Sequence, residues 1–139
     1  MDVKIKNLRD ASPETVAKEA VRVVLANKGV ETRLFNVTDS TVIADYYVIT
    51  SARSTTHVKS MADELVDKFA EMGITPSHFE GREGGEWLLI DYDNVIVHIF
   101  GREARDFYNL ERLGGTEIDI KDIEDALDRE MTASDTNND

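Results

Sequence analysis

Asp91 and Asp93 stand two apart, the D-x-D spacing with which phosphoryl- and nucleotidyl-transfer sites hold a divalent metal ion. Upstream, Ser51, Ser54, Thr55 and Thr56 crowd a strand-to-helix junction, where helix N-terminal amides would meet a phosphate. His98 would sit near Asp91 if the chain doubles back between them, giving a carboxylate–imidazole dyad for general acid–base work. Each signal has a plain competitor. Asp93 falls where a hairpin tip wants Asp for backbone reasons alone. Ala52-Arg53 stand where a phosphate loop wants glycine for close backbone approach. No Ser or Cys is fixed beside His98 as a nucleophile. These residues read as non-catalytic, with a nucleotidyltransferase-type enzyme using Asp91 and Asp93 as the alternative.

The element that must position them is the stretch Trp87 to Phe100, WLLIDYDNVIVHIF. Two runs of strand formers meet at Asp93-Asn94, residues that tolerate the positive φ of a two-residue turn. A hairpin with that loop sets Tyr92 opposite Val95, Asp91 opposite Ile96, Leu89 opposite His98 and Trp87 opposite Phe100. Alternation then sorts the side chains into two faces. Leu88, Ile90, Tyr92, Val95, Val97 and Ile99 make a greasy one that reads as core. Trp87, Leu89, Asp91, Ile96, His98 and Phe100 make a mixed one, and aromatics set beside a carboxylate and an imidazole resemble the centre of an interface.

The other elements follow in order. Ser12-Pro13-Glu14 opens a helix through cap, proline and dipole preferences, and Gly29 closes it. Thr32 to Val37 and Asp45 to Ser51 read as strands, the second apolar enough to be buried on both sides. Val58, Met61, Ala62, Leu65, Val66, Phe69 and Met72 recur on one stripe of a helix capped at Ser54 and ended by Gly73. Ser77 to Glu80 is a short strand and Gly81 to Glu86 a polar loop. A helix is expected from Arg102 to Arg112 and a short amphipathic one around Ile118 to Leu127. TASDTNND at the end has nothing to bury and is expected to be disordered. His57 and His78 read as ordinary exposed residues. The order predicts an α/β domain with a mixed sheet over residues 12–115, an N-terminal extension at 1–11 and an acidic tail at 116–139.

Composition narrows the function. A chain of 139 residues without cysteine has neither a disulfide framework nor a thiolate site, and three histidines do not suggest a metal centre. No cofactor is expected. No apolar run is long enough to span a bilayer, and the first residues lack a signal-peptide core, so a cytoplasmic protein is expected. The net charge is −12, with no basic run to hold phosphate backbones. Little direct nucleic-acid contact is expected, and a basic protein partner suits the charge better.

DYYVIT (45–50), Ser54 with His57-Val58, FEG (79–81), WLLIDYDNVIVHIF (87–100) and RDFYNLERL (105–113) together resemble the ribosomal silencing factor family, also called RsfS or Iojap. The likeness covers about residues 12–115. It implies a nucleotidyltransferase-like α/β fold without catalysis, and binding to a large-subunit ribosomal protein, number fourteen in the standard series. Occupying that intersubunit face keeps the subunits apart and represses translation when nutrients are short. Organellar relatives assist large-subunit biogenesis, which is the second alternative. Ala52-Arg53, Asp93-Asn94 and Gly114 depart from the family's usual Gly-Asn, Gly-Asp and Trp. With the resemblance in hand, Trp87, Leu89, Asp91, Ile96, His98 and Phe100, with Tyr92 at the margin, are the expected partner-binding residues. Their exposed apolar surface also suggests a homodimer in the free protein.

Overall fold

The computed structural model describes residues 7–81 and 85–137. The first six residues of the expected extension, residues 82–84 of the expected polar loop and the last two of the tail lie outside the described residues. Ser12 accepts a hydrogen bond from Thr15 N and Pro13 opens α1 (Pro13–Ala26). The helix ends as the Gly29 N–H returns to Val24 O at 2.8 Å. β1 (Val30–Asn36) and β2 (Tyr46–Ser51) follow, then α2 (Thr55–Glu71), whose cap Ser54 accepts from His57 N. β3 (His78–Glu80), β4 (Trp87–Asp91) and β5 (Val95–Phe100) complete the middle of the chain.

These strands join a mixed six-stranded sheet in the order β3-β4-β5-β2-β1-β6, where β6 is Thr116–Ile118. Only β2 and β5 run parallel, and α2 lies in the crossover between them. The expected α/β class is therefore the observed one. The hairpin register is also as read: Trp87 pairs with Phe100, Leu89 with His98 and Asp91 with Ile96. At its tip Asp93 alone takes a positive φ, 70°, and Asp91 Oδ1 accepts from Asp93 N at 2.7 Å to close the turn.

Helices α1 and α2 cover one side of the sheet, where Val24, Leu34, Val48, Leu65, Phe69, Ile90, Val97 and Ile99 form the main core. β2 is buried on both sides, as its apolar run implies: Val48 points into that core and Tyr47 and Ile49 into a second, smaller one. The second core joins Phe35, Val37, Ala44, Ile96 and Phe100 to partly buried Trp87, Leu89, Ala104 and Leu110.

Three features depart from the sequence reading. The single helix expected over Arg102 to Arg112 is broken into α3 (Ala104–Tyr108) and a 3-10 turn (Leu110–Leu113) by Asn109, which sits in the left-handed region at φ 48°. A continuous helix would set residues six apart roughly 240° round its axis. The break instead folds Glu111 back onto Arg105, whose Nε and Nη2 donate to Glu111 Oε2 at 3.2 and 2.9 Å. Next, β6 pairs antiparallel with β1 beyond the expected domain limit at 115. Three residues are too few to show alternation, and Glu117 on them reads as solvated until Arg33 is seen to donate to it at 2.7 Å. Finally, α4 (Lys121–Asn137) runs well past Leu127 into the stretch expected to be disordered. It packs on α1 through Ile123 and an Arg22–Glu130 ion pair, and Ile120 just before it is buried, contacts that hold a weakly apolar sequence helical.

Candidate docking surface

The mixed face of the β4–β5 hairpin carries a run of touching rings. Tyr47 meets His98 edge-on with centroids 4.7 Å apart, and Trp87 lies 5.9 Å from His98. Trp87 stacks on Phe100 at 5.1 Å and touches Tyr108 of α3 at 4.6 Å; Phe107 meets Tyr108 edge-on. Trp87 faces Phe100 across the ladder, so His98 is its diagonal neighbour, within reach of large side chains. Trp87 Nε1 donates to His98 Nδ1 at 3.1 Å.

The expected partner-binding residues divide by depth. Trp87, Leu89 and Asp91 are half-exposed. Phe100, His98 and Ile96 lie beneath them, at 0, 2 and 3 % exposure, covered by Trp87, by Ala44 of the β1–β2 connection and by Ala104 and Leu110. Tyr92 faces the opposite side, buried against Phe69 of α2 with ring centroids 4.9 Å apart. Only the first three therefore offer surface in the free protein.

Burial explains the electrostatics. It holds the His98 imidazole neutral, its pKa lowered to about 3. Its Nε2 has no hydrogen-bond partner among the described residues, so the dyad with Asp91 does not form. Burial, and then the charge of Asp91, push the Tyr47 phenol up. Asp91 spends one oxygen on the hairpin turn, and among the described residues no group of three histidines or carboxylates is placed to hold a metal ion. Two hydroxyls of the Ser51–Thr56 stretch are engaged structurally: Ser54 caps α2, and Ser51 Oγ accepts from Arg105 Nη1 at 3.1 Å.

Several contributors were not read from the sequence. Val42 and Ile43, at 102 and 61 % exposure, adjoin Ala44 at the turn end of the face, and Phe107, 82 % exposed, marks the other end. An apolar pair inside the turn-rich TDSTVIAD was the available signal. His57 is not the ordinary exposed residue its sequence position suggests, for it is part-buried and bonded on both nitrogens: Nδ1 accepts from Arg53 N at 3.0 Å and Nε2 donates to Asn27 O at 2.7 Å, tying α2 to the end of α1. His78 is exposed and pairs with Glu80. Arg105, only 7 % exposed, was missed altogether; with Glu111 and Arg33 it clamps α3 against β1 and β2.

A family model described as "Ribosomal silencing factor during starvation" matches residues 9–139. The chain belongs to this family. It is 34% identical over 110 residues to the ribosomal silencing factor RsfS of Zymomonas mobilis, covering 79% of this chain and 83% of that one. A crystal structure of a Chromobacterium violaceum protein superposes with a TM-score of 0.72 at 28% identity, covering 78% of this chain and 91% of the other. A mouse protein named for mitochondrial assembly of the ribosomal large subunit is 32% identical over 72 residues, half of this chain and 32% of its own length.

Proposed function

We propose that the protein is a non-catalytic translational repressor that binds the large ribosomal subunit through its protein number fourteen and blocks subunit joining when nutrients are limiting. The observation that carries this reading is the half-open aromatic face of the hairpin in a chain of the silencing-factor family. Trp87 is the anchor, Leu89 widens the apolar contact, and Asp91 accepts from an Arg or Lys of the basic partner. Phe100, His98 and Ile96 support that surface from below, and Tyr92 contributes through the core rather than by contact. Val42, Ile43, Phe107 and Tyr108 extend the apolar rim at its two ends.

Exclusion by shape needs no cofactor, only occupancy of the intersubunit face. Trp87→Ala is expected to weaken binding to purified large subunits by on the order of 2 kcal/mol or more, measured by co-sedimentation with the fold checked by circular dichroism. A folded Trp87→Ala protein that binds like wild type overturns the assignment. The same apolar rim supports self-pairing in the free protein; a monomeric mass at high micromolar concentration would rule that out.

A further inference from the structure

We infer that His98 is a positioning residue of the docking face: from beneath it, its Nδ1 holds the Trp87 indole in the orientation presented to the partner. The inference rests on the reading of Trp87 as the anchor. It goes further in giving a buried residue a defined task that neither contact with the partner nor packing alone would require.

The geometry carries it in three steps. The indole stacks on Phe100 with centroids 5.1 Å apart and meets Tyr108 at 4.6 Å with the planes tilted by 45°, and neither apolar ring contact favours one edge of the indole. Stacking alone therefore does not fix which edge of the indole faces outward. The hydrogen bond from Nε1 to His98 Nδ1, at 3.1 Å, is directional and selects one edge. Accepting at Nδ1 also requires a neutral ring with its proton on Nε2. That N–H is buried without a partner among the described residues, an arrangement a packing residue would not need, because Phe would fill similar space with no orphan donor. Tyr47 and Phe100 brace the imidazole, with centroids 4.7 and 6.4 Å away. The anchor is thus set before a partner arrives, and a side chain already held in place loses less freedom on binding.

Trp87 is the only tryptophan, so its signals report this bond without ambiguity. In the wild-type protein, long-range proton–nitrogen spectra should show the His98 proton on Nε2, and the Trp87 indole N–H should exchange slowly with solvent. His98→Phe should keep the fold, shift the indole resonance, speed its exchange and weaken large-subunit binding by roughly three- to tenfold. His98→Gln, which retains an acceptor, should restore part of both. Should His98→Phe fail to fold, the wild-type tautomer and the His98→Gln protein still decide the matter. A proton on Nδ1, or an indole resonance unmoved in His98→Phe, overturns the inference. A shifted resonance with unchanged binding, where Trp87→Ala does weaken binding, overturns the positioning role and leaves the docking reading intact. Unchanged binding in Trp87→Ala removes the docking reading, and the role of His98 in it falls too.

Discussion

At the scale of single residues, buried polar groups carry the sharpest consequences. The unfolded chain takes up a proton at His98 near pH 6.5, whereas the folded one does so only near 3 because burial resists the charge. Between those values the unfolded state holds one more proton, so stability falls as the pH falls. The slope from this residue is about 1.4 kcal/mol per pH unit. Glu111 acts lower on the scale. Burial pushes its carboxyl up, but the hydrogen bond and charge of Arg105, with Arg33 behind them, outweigh this and leave it below the usual range. Denaturant midpoints measured from pH 7 to 5 should therefore drop in wild type and drop less in His98→Phe. Equal slopes would show that His98 is not the group responsible. Gly29 is a second residue-scale constraint: a Cβ there would lie 2.5 Å from Thr50 Oγ1 and 2.9 Å from Val24 O. Gly29→Ala should cost about 1–3 kcal/mol in chemical denaturation, since the helix end and β2 must move apart.

At the scale of elements, α3 is too short to be stable by itself, and the Arg105–Glu111 clamp keeps it in place. Arg105 donates to Glu111, to Ser51 Oγ and to Val30 O, so it joins α3 to both β1 and β2 while Tyr108 rests on Trp87. Glu111→Ala would leave a buried guanidinium without its carboxylate, and a loss of about 3 kcal/mol is expected in urea unfolding. Because Tyr108 rides on α3, the same variant should bind large subunits more weakly than its folded fraction alone explains. The sequence showed where most elements lie because their signals are local. Serine caps, an apolar stripe over Val58 to Phe69 and alternation through the hairpin depend on near neighbours only. The break at Asn109 was not legible for the opposite reason: what makes it worthwhile is a contact between Arg105 and Glu111 that exists only after the chain has turned.

At the scale of the whole molecule, the sheet has one side closed by α1 and α2 and one side left partly open, and the second is where the family's binding role is proposed. The acidic C-terminal region is part of this architecture. β6 covers the β1 edge, Ile120 enters the main core and α4 lies on α1. A chain stopped after Gly115 should unfold at lower urea, by at least about 2 kcal/mol for the lost burial of Ile120 alone. Equal stability of the two chains would mean that this region is an appendage.

The sequence by itself determined the α/β class, the hairpin register and the membership of Trp87, Leu89, Asp91, Ile96, His98 and Phe100 in one face. Those follow from strand alternation and turn preference, which every residue expresses locally. Only the tertiary structure decided which of the six are reachable. Trp87, Leu89 and Asp91 remain at the surface, while Phe100, His98 and Ile96 are covered by residues from the β1–β2 connection and the α3 region, and depth depends on what distant segments lay over a face.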